Sequence, residues 1–157
     1  MRKTYQVLAL LIAVEVIVQA TALAWAVFGL GVWIDDGNTM NKTMLECRDC
    51  PWNFTEERGF MIHGLNGMIV IPALALVLLV VSFFTRDKIL IRWAALTFGL
   101  VIVQSQVLPF AGRENPVFGA LHGLNALLLL AAALVTWRKA KAPAPATEAA
   151  AEMSRTG

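Results

Sequence analysis

The chain contains two histidines, and the same residues follow each of them. His63 and His122 each begin the tetrad HGLN, at residues 63–66 and 122–125. Neutral imidazole is the commonest metal ligand among the side chains, and two imidazoles that face each other inside a helix bundle are a usual way to hold haem iron. The repeat therefore raises the question of which structural elements would bring the two rings to one place.

The composition predicts an all-α integral membrane protein. Hydrophobic residues make up 58% of the 157 residues and charged residues 15%, which is more apolar surface than a soluble domain of this size can bury. A membrane β-barrel is excluded because its strands alternate apolar and polar residues, and stretches such as IPALALVLLVVSFF do not. Four apolar runs are each long enough to cross about 30 Å of hydrocarbon as a helix; they cover roughly residues 5–34, 59–84, 89–110 and 115–137.

Basic residues predict the orientation of this four-helix bundle, which we place at residues 1–141. Lys and Arg concentrate on the cytoplasmic side of membrane proteins. Here they flank the start of the first run, the turn between the second and third, and the end of the fourth: Arg2, Lys3, Arg86, Lys88, Arg92, Arg138, Lys139 and Lys141. We therefore expect a multi-pass plasma-membrane protein with both termini in the cytoplasm and the loop 35–58 outside. The formal net charge of +2 gives no reason to expect a nucleic-acid partner.

A second motif extends the repeat. VIVQ occurs at 16–19 and again at 101–104, so that VIVQ followed by HGLN appears twice along the chain. This order predicts two helical hairpins in tandem, the first and second helices and then the third and fourth. Because both hairpins start on the same side, the repeat is parallel, with a pseudo-two-fold axis along the membrane normal. Residues 142–157, rich in Ala, Pro and Glu, are predicted to form a disordered cytoplasmic tail.

A polar layer is expected in the outer half of the membrane. At 1.5 Å per residue, His63 and His122 lie roughly 6–9 Å below the outer ends of their helices. Gln19 and Gln104, which end the two VIVQ motifs, fall near the same level. Polar side chains at this depth usually face the bundle interior, and the pseudo-symmetry would make the histidines face each other. The layer predicts a haem b whose iron is bound by His63 and His122.

Other side chains of the layer are candidates for the same site. A ligating imidazole usually donates its other ring N–H to a fixed acceptor, and Gln19, Gln104 and backbone carbonyls are the candidates. Asn66 and Asn125 lie one helical turn beyond the histidines, on the same helical face. The alternative interpretation is that all these side chains only join helices through hydrogen bonds. A zinc or copper site has less support, because those metals take three or four protein ligands.

Two arginines and several glycines also have two interpretations each. Arg58 and Arg113 stand on the outer side, where they would bind the haem propionates, or where they would act as ordinary interfacial arginines whose charged ends reach water. Glycines surround both histidines and would allow either a flat macrocycle to approach the backbone or two helices to pack tightly: Gly59, Gly64, Gly67, Gly119 and Gly123.

Glu15 and the two cysteines lie outside this set. Glu15 falls near the middle of the first helix, as a proton-relay residue or as a hydrogen-bond partner of another helix. Cys47 and Cys50 form a C-x-x-C pair in the outer loop, where a disulfide is expected to fasten the loop; a redox-active pair is the minority interpretation. A c-type haem attachment would need His after the second Cys, and Pro51 stands there.

The chain resembles two groups of proteins. FMIHGLNGMIVIPALALVLLV and ALHGLNALLLLAAAL, with the two VIVQ motifs, resemble a family of small bacterial four-helix membrane proteins of unknown function, over about residues 5–140. More distantly, the chain resembles one half of heme A synthase, a four-helix bundle that holds haem through one histidine near the outer end of its second and fourth helices. That resemblance implies His63 and His122 as the ligand pair. It matches Cys47, Cys50 and Glu57 only loosely, by spacing, and one half does not imply the oxidation of haem.

The predicted function is electron transfer or haem handling by a membrane-embedded bis-histidine b-type haem, with no catalytic residue assigned. Six-coordinate iron has no open position, which favours electron transfer over oxygen chemistry. The partners expected are the lipid bilayer, a quinone or a redox partner at the outer face, and a larger membrane complex or a second copy. The alternative is a non-enzymatic accessory or assembly subunit, in which the His, Gln and Asn side chains act as helix glue.

Overall fold

The computed structural model describes residues 1–46 and 50–141 and confirms the predicted fold class. The described chain is helical without strands, and four helical spans are long and apolar enough to cross a membrane. We number them in chain order: span 1 is Arg2–Asp35, span 2 is Thr55–Phe84, span 3 is Lys88–Glu114 and span 4 is Pro116–Lys141. The predicted tail, residues 142–157, and the predicted disulfide partner Cys47 lie outside the described residues.

The spans differ in how regular they are. Span 1 is one helix, α1, Arg2–Asp35, and span 4 is one helix, α7, Pro116–Lys141. The outer loop holds a short helix, α2, Lys42–Glu46, and span 2 opens with a 3₁₀ turn, Thr55–Glu57. The remaining helices come in two pairs, each interrupted by one π-helical turn: α3 Arg58–Leu65, turn Asn66–Val70 and α4 Ile71–Phe84; α5 Lys88–Ile102, turn Val103–Val107 and α6 Leu108–Glu114. The third predicted run, 89–110, thus continues to Glu114.

Each π-helical turn ends two residues before a proline. A proline ring collides with the carbonyl group four residues earlier and has no N–H to complete the helix. For Pro72 that carbonyl belongs to Met68, and for Pro109 to Ser105, and both residues lie inside a π-helical turn. The widened turn therefore accommodates the proline without breaking the helix. Both turns fall at the level of the histidines.

The four spans form a ring in which each span packs against its two neighbours. Span 1 packs against spans 2 and 4, and span 3 packs against the same two. Spans 2 and 4, which carry the two histidines, are therefore diagonal partners across the bundle interior, as are spans 1 and 3. We call the end where span 1 begins and span 4 ends the lower end, and the opposite end the upper end.

The lower end of the bundle is closed by packing and by hydrogen bonds between spans. Tyr5 is fully buried, and its hydroxyl donates to the backbone carbonyl of Leu90 at 2.8 Å. Nearby, Arg2 of span 1 forms an ion pair with Asp87, which also caps α5. The core beneath the histidines is continuous and includes Ile12, Leu78 and Leu129.

Close packing at the upper end depends on Gly59, which yields the first prediction. A Cβ atom at Gly59 would meet the backbone carbonyl oxygen of Ala22 and lie 2.9 Å from the Cβ atom of Ala26. The substitution Gly59→Ala should therefore push spans 1 and 2 apart and destabilise the protein by about 1–3 kcal/mol, measured by thermal denaturation in detergent. Gly31→Ala is the control, because no atom lies within 4 Å of a Cβ added there. Equal losses from both substitutions would contradict this account of the contact.

Candidate functional site

The two histidines face each other across the interior of the upper half. Their ring centres are 6.2 Å apart and their ring planes are inclined by 60°. At this angle the rings are not stacked face to face. The structure thus brings together two side chains that are 59 positions apart in the sequence and belong to diagonally opposed spans.

In the first hairpin, the backbone fixes the His63 ring. Its Nδ1 lies 3.2 Å from the backbone carbonyl oxygen of Gln19. Because a carbonyl oxygen only accepts, Nδ1 carries a proton, and in the neutral ring Nε2 therefore carries the lone pair. Nε2 has no hydrogen-bond partner among the described residues. The Gln19 backbone thus supplies the acceptor that we expected for a ligating histidine, whereas its side chain lies against Gly67.

In the second hairpin, a chain of side-chain amides fixes His122. It begins at the backbone carbonyl of Leu100, which accepts from Asn125 Nδ2 at 3.0 Å. The same Nδ2 donates to Gln104 Oε1 at 2.7 Å. Gln104 Nε2 then lies 3.0 Å from His122 Nε2. Since the amide nitrogen donates, His122 Nε2 must be the acceptor, and the ring is neutral with its proton on Nδ1.

The two rings therefore share one tautomer but differ in what occupies Nε2. Both carry the proton on Nδ1, which leaves the Nε2 lone pair for a metal. At His63 this lone pair has no protein partner among the described residues, and at His122 it accepts from Gln104. The Nδ1 atom of His122 is buried without a hydrogen-bond partner in the described part of the chain, which is rare for a buried polar group.

Glu15 is part of the same polar layer. Its role was undecided from the sequence. Its carboxyl oxygen Oε2 accepts from Asn66 Nδ2 at 2.8 Å, so that it joins spans 1 and 2. In the repeat, the position of Glu15 corresponds to Leu100 and that of Asn66 to Asn125. Both asparagines are only 7% exposed and donate to equivalent positions, one to a side chain and the other to a backbone carbonyl. Sequence comparison of the two halves could have found this pairing.

A cavity of about 860 Å³ lies between the two hairpins at the level of the histidines. All four spans line it, and both histidines, Gln19 and Gln104 are in its wall. Three wall glycines have no atom within 4 Å of an added Cβ, so this side of each borders open space: Gly64, Gly119 and Gly123. The backbone of Gly119 also approaches α6, because a Cβ added at Gly112 would lie 3.4 Å from the Gly119 nitrogen. Gly59 therefore packs helices together, whereas Gly64 and Gly123 border the cavity.

The structure treats the two arginines differently. Arg113 lines the cavity near the upper end, and its guanidinium lies 5.6 Å from the ring centre of Phe110. Arg58 is exposed at the start of α3 and is not among the residues that line the cavity. Of the two predicted propionate ligands, only Arg113 is therefore placed beside the histidine pair.

The residues present fit a haem better than a small metal centre. A metal–imidazole bond of about 2.0–2.1 Å, with about 1.1 Å from ring nitrogen to ring centre, places two opposed imidazoles about 6 Å apart. The observed 6.2 Å agrees with that separation, and the cavity volume is within the range of cofactor sites, roughly 300–1,000 Å³. Among the described residues, no group of three or more His, Cys, Asp or Glu side chains could hold a metal ion, which a structural zinc site would require.

Comparisons with known proteins add no name to this site. No family model matches the chain, and neither a curated protein nor a solved structure does so. The resemblances drawn from the sequence motifs therefore remain expectations, and the site is interpreted from its own geometry.

The hydrogen bonds predict the tautomer of both rings. In protein with ¹⁵N-labelled histidine in lipid nanodiscs at neutral pH, NMR should show a protonated Nδ1 and an unprotonated Nε2 for His63 and for His122. The substitution Gln104→Met should change the Nε2 resonance of His122 alone, because only that ring accepts from the Gln104 amide. A proton on Nε2 of either neutral ring, or an imidazolium at His122, would contradict the hydrogen-bond directions derived above.

Proposed function

We propose that this protein binds one haem b between spans 2 and 4, that His63 and His122 would hold its iron, and that it transfers electrons or handles haem in the membrane. The observation that carries the proposal is the pair of imidazoles 6.2 Å apart, on diagonal spans, in the wall of one glycine-lined cavity. Bound haem would supply a reversible one-electron change at its iron. The chain would supply binding, orientation and the exclusion of water.

Each residue of the layer has a role in that proposal. His63 is held by the Gln19 carbonyl, an acceptor of the kind that orients a ligating imidazole and increases its basicity. At His122, the Gln104 amide donates to the Nε2 lone pair that would bind the iron, and Asn125 fixes the direction of that amide. Arg113 lines the cavity near its upper end and would bind a propionate there. The open space at Gly119 and Gly123 would admit the flat face of the macrocycle.

The proposal includes a membrane orientation. The Lys and Arg residues at the lower end favour the cytoplasm for that end and for both termini. The cavity, in the upper half, would then be near the outer surface, within reach of a quinone or of a redox partner there. The outer loop would be fastened by the Cys47–Cys50 disulfide, which stays a proposal because Cys47 lies outside the described residues.

A second candidate function, a membrane assembly subunit, is favoured by one observation. The hydrogen bonds of the layer join spans within a hairpin: His63 to Gln19, Asn66 to Glu15, and His122 and Asn125 to span 3. Polar side chains that only join neighbouring helices would give this pattern of hydrogen bonds. Hydrogen bonds that only join helices, however, do not account for the cavity between the hairpins. They also do not account for His63 Nε2, which has no hydrogen-bond partner in the described chain.

An absorbance spectrum distinguishes these two functions. Protein expressed with ample haem and purified in detergent should show a Soret band, and after reduction with dithionite it should show the split α and β bands of six-coordinate haem. The double variant His63→Ala/His122→Ala should lose these bands, because both axial ligands are removed. A colourless wild-type protein that co-purifies with large membrane proteins would reject haem binding and favour the assembly subunit.

The glycines that line the cavity give a separate prediction. The substitution Gly123→Leu puts a branched side chain into the cavity, where an added Cβ has no neighbour within 4 Å, and should reduce haem content at least tenfold without loss of folded protein. Gly99→Leu is the matched control, since Gly99 has the same open surroundings but does not line the cavity. Haem content is measured as the ratio of Soret to protein absorbance. Unchanged haem content in Gly123→Leu would place the macrocycle elsewhere.

A further inference from the structure

We infer that the two histidines are inequivalent ligands: His63 is the permanent one, and His122 is an exchangeable one that can give its place on the iron to a small neutral ligand such as carbon monoxide. This inference rests on the proposed haem site and goes beyond it, because it assigns to the His122 side a binding site for external ligands. The two identical tetrads of the sequence repeat do not distinguish the two ligands.

The inequivalence follows from what each Nε2 lone pair meets. The His63 lone pair has no hydrogen-bond partner in the described chain, and the ring is held from its other side by the Gln19 carbonyl. Nothing in that arrangement has to break for Nε2 to bind a metal. The His122 lone pair accepts from the Gln104 amide at 3.0 Å. That hydrogen bond and a metal bond need the same lone pair, so Gln104 competes with the iron for His122.

The Gln104 amide cannot avoid this competition by turning over. If its oxygen and nitrogen exchanged places, the nitrogen would face Asn125 Nδ2, and two donors would meet. If Asn125 also turned, its oxygen would face the carbonyl oxygen of Leu100, and two acceptors would meet. The backbone at Leu100 therefore fixes the direction of every bond up to His122. The amide N–H remains directed at Nε2 and offers the ring an alternative partner whenever it leaves the iron.

The first hairpin offers a matched control, because it has the same glutamine in a different contact. Gln19 corresponds to Gln104 in the repeat, but its side chain does not bond to His63; only its backbone carbonyl does. Its Oε1 atom is buried without a partner among the described residues. A substitution of the Gln19 side chain should therefore leave the His63 ligand unaffected, whereas the same substitution at Gln104 should remove the competitor of the iron at His122.

The experiment compares carbon monoxide binding by dithionite-reduced, haem-loaded protein in nanodiscs. Wild type should bind carbon monoxide. Gln104→Met should raise the half-saturating concentration of carbon monoxide, because His122 then has no alternative partner when it leaves the iron. The expected factor is about fivefold, which corresponds to the loss of one neutral hydrogen bond. Gln19→Met should change it less than twofold. His122→Ala should keep haem as a five-coordinate species that binds carbon monoxide more tightly than wild type, and His63→Ala should retain several-fold less haem than His122→Ala.

Each other outcome has a defined meaning. If wild type shows a haem spectrum but Gln104→Met and Gln19→Met bind carbon monoxide equally well, the inference is wrong and the proposed function stands. The same holds if His63→Ala keeps haem and His122→Ala loses it, because the permanent ligand would then be His122. If the wild-type protein has no haem spectrum, the inference and the proposed function both fail. The histidine variants decide the question even where Gln104→Met does not fold.

Discussion

The backbone carbonyl of Leu100 accepts hydrogen bonds and cannot donate them, and the chemistry of the second hairpin depends on that fact. It requires the nitrogen of Asn125 to face it, which requires the oxygen of Gln104 to face Asn125 and the Gln104 nitrogen to face His122. The protonation of a ring in span 4 is thus set by a peptide group in span 3. In a protein interior, where unpaired polar groups are costly, such a chain has little freedom to rearrange.

The two hairpins contain the same motifs, but the hydrogen bonds of these motifs join different groups. In the second, the asparagine bonds to a backbone carbonyl and to the glutamine, and the glutamine is thereby directed at the histidine. In the first, the acid at position 15 takes the place of the leucine at position 100 and binds Asn66, so Gln19 has no amide to direct it. The two asparagines therefore have different partners, and the two histidines are held by different groups. A repeat that is symmetric in sequence motifs has produced an asymmetric site.

The sequence predicted the parts of this structure that follow from composition and period. Four apolar runs predicted four spans, and the motif VIVQ followed by HGLN predicted which polar side chains meet at one level. Sequence alone did not predict that His63 would use the backbone of Gln19 while His122 uses the side chain of Gln104, because donor direction depends on coordinates. Both π-helical turns were also missed, although Pro72 and Pro109 were the signals for them. The roles of the glycines were undecided, since only spatial neighbours separate Gly59 from Gly123.

The position of the cavity follows from where the polar bonds run. Each hairpin is joined internally by its own hydrogen bonds at the histidine level, so no bond there has to hold one hairpin to the other. The hairpins are held together lower down, by Tyr5 on Leu90 and by the apolar core. A ligand between the hairpins would therefore break no hydrogen bond that holds one hairpin to the other at this level. The one bond with which a ligand at His122 would compete is that of Gln104 to His122, worth about 1 kcal/mol; in the proposed haem site its loss would be offset by the bond of the same lone pair to iron.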